Sequence, residues 1–191
     1  MFRPGGKMRQ FEPDVIRTDR LVLLPLRVEY AEEMAVVLAD PGLHAFIGGA
    51  PETAQALRAK YERWVAGSPD PAEAWCNWVI RLRAADCLVG TVQVTVADDG
   101  GGAVAEVAWV VGAPWQGRGI AVEAARGLVA WLGRLPVHTV VAHIHPEHVA
   151  SAAVAAAAGL APTDRWEDGE VEWQLAVDRG GARGGPTGAA V

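Results

Sequence analysis

One stretch of this sequence holds residue types able to do chemistry together. It runs Glu106-Val107-Ala108-Trp109-Val110-Val111, then Gly112-Ala113-Pro114-Trp115, then Gln116-Gly117-Arg118-Gly119-Ile120-Ala121. It reads as a strand, a glycine-bearing loop and the start of a helix. The first N–H groups of a helix have no partner within it, and its dipole draws negative charge to that end. Gly117 and Gly119 let the backbone come close to phosphate oxygens, and Arg118 sets a positive charge beside them. The chemistry of such a junction is phosphate binding. A P-loop would require Lys and then Ser or Thr after the second glycine, and neither stands there. A dinucleotide fingerprint starting at Gly117 would put its third small residue at Val122. It would also need an acidic residue about 20 positions on, where the chain reads Pro136-Val137-His138.

The elements that must position this junction are legible from periodicity. Residues 21–26 form a short apolar run suited to a strand, and residues 31–38 and 53–65 show helical spacing, with Thr53 as a cap behind Pro51. Residues 75–82 alternate as a strand with Trp78 and Ile80 on one face. Residues 87–96 follow, with Val92, Val94 and Val96 sharing a face. A glycine turn at 98–102 leads into a strand over 104–111. The helix over 119–132 carries an apolar stripe of Ala121, Ala124, Ala125, Leu128 and Leu132, with Glu123 in its first turn and Arg134 at its end, each suiting the dipole. A strand over 139–144, an alanine-rich helix over 149–158 and a strand over 171–177 complete the chain, with a further strand near 160–166. The order β-α-α-β-β-β-α-β-α-β predicts a mixed α/β domain over residues 13–178. Residues 1–12 and the Gly-rich tail 179–191 read as unstructured ends.

The loop fits a third phosphate-binding pattern, Gln/Arg-x-x-Gly-x-Gly/Ala, at each defined position from Gln116 to Ala121. In this the chain resembles the GCN5-related N-acetyltransferases, and within them the RimJ/RimL-like ribosomal-protein branch. That branch carries Glu-Ile/Val-Gly-Tyr-Trp-Leu on the strand before the loop, which Glu106 to Val111 resembles. It also carries Asn-x-x-Ser-x-x-Val/Leu-x-x-x-x-Gly-Phe, similar to His148-Val149-Ala150-Ser151-Ala152-Ala153-Val154, four alanines and Gly159-Leu160. An Arg-Leu-x-Leu opening is matched at Arg20-Leu21-Val22-Leu23, so the likeness spans about residues 18–177. The implied fold is a mixed central sheet of about six or seven strands flanked by about four helices, splayed at the central strands.

The resemblance implies acetyl-CoA as the cosubstrate. It places the pantetheine in the splay against the backbone of Trp109, Val110 and Val111, and the pyrophosphate on Gln116, Gly117, Arg118, Gly119, Ile120 and Ala121. It implies that a primary amine, either a protein N-terminus or a small molecule, attacks the thioester directly, with a backbone N–H near Val111 facing the oxyanion. Glu106 is the family-matched residue to take the amine's proton, directly or through water. Many relatives protonate the leaving thiolate with a Tyr whose position here is Ala155, which leaves the hydroxyl of Ser151. The family's pantetheine-binding Asn is replaced by His148. The same fold using another acyl-CoA or an aminoglycoside-like amine, or serving as a non-catalytic acyl-CoA-binding module, is the alternative, and a homodimer is compatible with the resemblance.

Other features set bounds. His143, His145 and His148 cluster in sequence, but no Cys or carboxylate with ligand spacing joins them, so they predict no metal site and instead polar groups at the cleft mouth. Eight tryptophans are mostly core, with Trp64 and Trp75 as candidates for an acceptor pocket. The two cysteines, Cys76 and Cys87, read as buried strand residues. A net charge of −6, from 17 Lys+Arg and 23 Asp+Glu, argues against a nucleic-acid partner and mildly favours a cationic acceptor. No apolar run spans a bilayer and no leader is visible after Met1, so a cytoplasmic location away from membranes is expected.

Overall fold

In a computed structural model, residues 11–177 are described. Eight strands form one open sheet: β1 (Ile16–Arg17), β2 (Leu21–Pro25), β3 (Glu73–Leu82), β4 (Cys87–Asp98), β5 (Ala103–Val111), β6 (Val137–Ile144), β7 (Ala161–Glu167) and β8 (Glu170–Ala176). Their spatial order is β1-β2-β3-β4-β5-β6-β8-β7. Each neighbouring pair is antiparallel except β5 and β6, which run parallel. A parallel pair needs a long crossover, and α4 (Ile120–Leu132) supplies it.

The apolar patterns explain the two layers on the sheet. Val92, Val94 and Val96 of β4 and Trp78 and Ile80 of β3 are buried on the face that α4 covers, together with Leu128, Trp131 and Leu132 of that helix. Each such side chain, fully buried, contributes about 1.5–3 kcal/mol. Trp78 meets Trp131 edge-on at 5.0 Å between ring centroids, and its indole N–H donates to Asp14 O. Helix α5 (Val149–Ala157) packs beside α4 on β6. On the other face, α1 (Ala31–Val37) and α3 (Ala54–Ala66) cover β3 and β4 through Met34, Val37, Leu57, Tyr61, Val79 and Leu88. Thr53 caps α3 as its spacing predicts, accepting from Ala56 N–H. Gly90 permits a close approach of β4 to β5, since a Cβ there would collide with the Val110 carbonyl.

Several elements differ from expectation. The sheet has eight strands and the fold five helices, because β1 and α2 (His44–Ile47) are too short to leave a periodic signal. The 160–166 strand is real, as β7. Helix α4 begins at Ile120, with Gly119 as its cap in the left-handed region. Cys76 is buried and Cys87 only half-buried, because Cys87 opens β4 at the turn. The expected unstructured ends, 1–12 and 179–191, lie outside the described residues except for Phe11 and Glu12, and Phe11 is buried in the core, accepting from the Cys76 thiol. Among the described residues no helix is long and apolar enough to cross a membrane.

Candidate active site

The site begins where β5 and β6 part. Their parallel register runs from Ala103↔Val137 to Glu106↔Val141 and stops there. Beyond that point β5 stays paired with β4 alone, to Gly90↔Val111, and Gly112 N–H bonds Val89 O at 2.9 Å. Antiparallel alternation then turns the N–H and C=O of Val110 toward β4, and those of Trp109 and Val111 toward the gap. The expected splay is therefore present, and it exposes the backbone of two of the three strand residues named from the sequence.

The loop that follows is held open by its own residues. Gln116 Nε2 donates to Val111 O at 3.0 Å, tying the loop back to the strand end. Gly117 and Gly119 have φ of 69° and 73°, a region that L side chains enter only at a cost of about 1–2 kcal/mol. A Cβ at Gly117 would meet nothing within 4 Å, so this backbone faces open space at the N-terminus of α4. Arg118 is exposed, and its carbonyl accepts from Arg20 Nη1 at 3.0 Å. The Arg20 guanidinium also pairs with Glu123 at 2.6 Å, while the Arg20 N–H and the Thr18 hydroxyl donate to the other oxygen of Glu123. Burial alone would raise the Glu123 carboxyl, but these donors hold it below the usual carboxylate range. Glu123 thus serves as the anchor of the chain before β2 more than as a charge for the helix dipole.

A cavity of 790 Å³ opens along this loop. Trp109, Val110 and Val111 line one side; Gln116, Gly117, Gly119, Ile120 and Ala121 line the end; His148 and Ser151 of the α5 start line the other. Ten of the twelve residues named from the sequence as catalytic or cofactor-binding thus share one cleft; Arg118 and Glu106 are not among its lining residues. His148 is the N-cap of α5: its Nδ1 accepts from Ser151 N–H at 3.3 Å, so the proton of the neutral ring sits on Nε2. Burial, reinforced by the charge of His145, lowers the His148 pKa from its ordinary value and favours that neutral ring. Phe46 of α2 lies against His148 at 4.2 Å and His145 at 5.7 Å between centroids. The segment Asp40 to Phe46 thereby forms a wall of the cleft that no motif announced.

A second cavity, of 540 Å³, lies under α3 on the opposite face of β5, and Trp109 and Val110 line both. Its wall includes Ala108, Gln93 and Thr91 from the sheet and Tyr61 and Trp64 from α3. Trp64, but not Trp75, is at this pocket; the Trp75 indole N–H donates instead to Glu73.

Glu106 stands two residues before Ala108 on the same sheet face, about 6.5 Å back along the strand. Its carboxylate is half exposed and 3.0 Å from His143 Nδ1, while His143 Nε2 is 3.2 Å from Glu167 of β7. The three histidines that cluster in sequence therefore separate: His143 joins two carboxylates, and His145 and His148 join Phe46. Among the described residues no group of three or more His, Cys, Asp or Glu could hold a metal ion.

Comparison with known proteins agrees with this architecture. No curated protein matches the chain. Among solved structures, an acetyltransferase (GNAT family) from Bacillus anthracis superposes with a TM-score of 0.71 at 18% identity, covering 85% of this chain and 98% of that one. RimL, a ribosomal-protein alpha-N-acetyltransferase in complex with coenzyme A, superposes at 0.71 with 13% identity, over 86% of this chain and 99% of that one. The microcin self-immunity acetyltransferase MccE, in complex with acetyl-CoA and AMP, superposes at 0.68 with 17% identity, over 84% and 94%. At such identities the likeness is one of fold. The family model for the acetyltransferase (GNAT) domain, however, matches residues 20–161, from the anchoring Arg20 through the parted strands and the glycine loop to the start of β7, and the chain belongs to that family.

Proposed function

We propose that this chain transfers an acetyl group from acetyl-CoA to a primary amine by direct attack on the thioester, working in the cytoplasm and within the ribosomal-protein-like branch of the family. The observation that carries the reading is the meeting of two cavities at Trp109 and Val110, where β5 leaves β6. One cavity ends on a glycine loop at a helix N-terminus, suited to a pyrophosphate; the other is open to an acceptor. The neighbours solved with CoA or acetyl-CoA support the choice of cosubstrate.

In this reading the chain's own groups divide the work. The N–H groups of the loop and of Ile120 and Ala121 hold the pyrophosphate, and the Trp109 and Val111 backbone pairs with pantetheine. His148 donates from Nε2, a role for which its Nδ1, committed to Ser151 N–H, leaves it prepared. As the amine nitrogen bonds to the acyl carbon and the C–S bond breaks, Val111 N–H faces the negative charge on the thioester oxygen. A donor of that kind contributes about 3 kcal/mol. Glu106 accepts the amine's proton through one water, and the Ser151 hydroxyl donates to the departing thiolate.

The test is thermal unfolding with acetyl-CoA, CoA, ATP and NAD, followed by thiol release on adding amines. A ligand at about 100 times its Kd adds about 2.7 kcal/mol, which raises the Tm of a chain this size by roughly 5–10 °C. Shifts with acetyl-CoA and CoA only are expected. The absence of both shifts would overturn the reading.

A further inference from the structure

We infer that Gln93 of β4 is a positioning residue for the proposed acetyl transfer: its side-chain amide holds the water through which the amine's proton reaches Glu106. The inference rests on that reading of the chain and names the group that closes a gap within it.

The gap is one of distance. The two cavities meet at Val110, and Glu106 is not among the lining residues of either. Four residues of strand separate Glu106 from Val110, about 13 Å, which a glutamate side chain cannot cover alone. The register of β4 on β5 fills the interval: Thr95 stands opposite Glu106, Gln93 opposite Ala108 and Thr91 opposite Val110. Directly opposed residues share a face, as do alternate residues along one strand. Gln93 is therefore on the face of Glu106, diagonal to it and halfway to Val110. Diagonal Cβ atoms lie about 7–8 Å apart, a separation that two long side chains bridge with one water between them.

The alternation of β4 puts a polar residue there. Val92, Val94 and Val96 are buried in the core beneath α4, which sends Thr91, Gln93 and Thr95 to the other face. Thr91 and Gln93 line the 540 Å³ cavity under α3, and among the described residues neither side chain has a hydrogen-bond partner. The titratable groups around them are committed. Glu52 and Lys60 bond one another at 2.8 Å, the two His44 ring nitrogens face the Gly48 and Leu38 carbonyls, and His143 meets Glu106 from β6 at 3.0 Å. A Gln amide carries two N–H donors and an acceptor oxygen, and leaving them unmet inside a cavity costs stability. Water meets that need where the site is roomy and offers it two to four polar partners. The Gln93 amide, the Glu106 carboxylate and the incoming amine supply three.

The step balances. As the amine's N–H bond breaks, its proton joins this water, and another proton of the same water forms the O–H bond on Glu106. The water is regenerated, and the half-exposed carboxyl returns the proton to solvent.

The experiment uses the full chain with acetyl-CoA and follows thiol release with ethanolamine, spermidine, neomycin and a Ser-initiated tetrapeptide, taking the fastest acceptor forward. Gln93→Met keeps the length of the side chain and deletes its hydrogen-bonding atoms. It should lower kcat about tenfold, the worth of one hydrogen bond, with KM for acetyl-CoA and Tm unchanged. Gln93→Asn, which keeps the amide, should recover part of kcat. The native kcat should level off with rising pH once the base is ionised, whereas that of Gln93→Met should keep rising, because free amine must then form without the relay. Placed in the Glu106→Gln background, Gln93→Met should cost nothing further, since the two groups act in series. A crystal structure of the native chain with CoA should show an ordered water bonded to both the Gln93 amide and the Glu106 carboxylate. A native kcat and pH profile in Gln93→Met, a further tenfold loss in the Glu106→Gln background, or a dry gap in the crystal would overturn the inference alone. No turnover of any of the amines would overturn the transfer reading on which it rests.

Discussion

Glu106 Oε1 and His143 Nδ1 stand 3.0 Å apart across the point where β5 and β6 separate. Glu106 is the last residue of β5 in register with β6, its partner there being Val141, and His143 is the next residue of β6 on the same face. The imidazole continues to Glu167 at 3.2 Å, so the carboxylate proposed to take the amine's proton is oriented by a ring that is itself held from behind. Only 15% of the His143 side chain is exposed, against 53% for Glu106, so the ring is fixed and the carboxylate reaches solvent.

Glu106→Gln should lower kcat by about 10²–10⁴, the range for loss of a general base, with the acetyl-CoA thermal shift retained. His143→Ala should lower kcat about tenfold, the worth of one lost orienting hydrogen bond. His143 is a positioning residue in this account, so His143→Asn, which keeps a donor near Nδ1, should recover part of kcat with KM for acetyl-CoA unchanged. Equal losses in the Ala and Asn variants would count against that role.

Gly119→Ala places a Cβ at φ 73° at the start of α4. The strain costs about 1–2 kcal/mol, visible as a Tm lower by roughly 2–8 °C. The larger effect should be on KM for acetyl-CoA, which rises while kcat is little changed, because in the proposed reading the loop binds the unreacting end of the cosubstrate. Steady-state kinetics at saturating amine separates the two.

His148 makes stability depend on pH with a definite sign. Its folded pKa lies below the unfolded value of about 6.5, chiefly through burial. In the window between the two values the unfolded chain binds the extra proton, so stability rises with pH. The contribution is fully present above about pH 6.5 and is lost as pH falls toward the folded value, where the protonated ring can no longer accept from Ser151 N–H. Tm measured from pH 5 to 8 should fall more steeply in acid for the native chain than for His148→Asn, which caps α5 without titrating.

Glu123→Gln should destabilise the fold by about 2 kcal/mol, since hydrogen bonds to a charged group contribute about 1.5–3 kcal/mol and three donors converge on it. That corresponds to a Tm lower by about 4–8 °C. The folded carboxyl titrates below its ordinary range despite burial, so its contribution is present above the unfolded value of about 4.3 and disappears as pH falls through the folded one. The difference in Tm between the native chain and Glu123→Gln should therefore shrink toward pH 3.

Much of this molecule is written locally. The valines of β4, the apolar stripe of α4 and the Thr53 cap follow from periods of 2 and 3.6 and from capping chemistry, which depend only on residues a few positions apart. The glycine loop is legible for the same reason: its glycines, Gln116 and Ile120 are contiguous, and the conformations needed are properties of single residues. What tertiary structure decides is which distant groups meet. Glu106, His143 and Glu167 come from β5, β6 and β7, and their contact depends on strand order and on where a register ends. Phe46 reaches His148 only because a four-residue helix, too short to show a period, crosses the cleft. The Tyr61 hydroxyl is one more buried aromatic in the sequence. It loses its water because α3 packs on β3 and β4, and no described neighbour offers it a hydrogen bond in exchange. Spacing encodes the shape of each element; the loss of water from one hydroxyl, and the distance between two strands that part, exist only once the elements have packed.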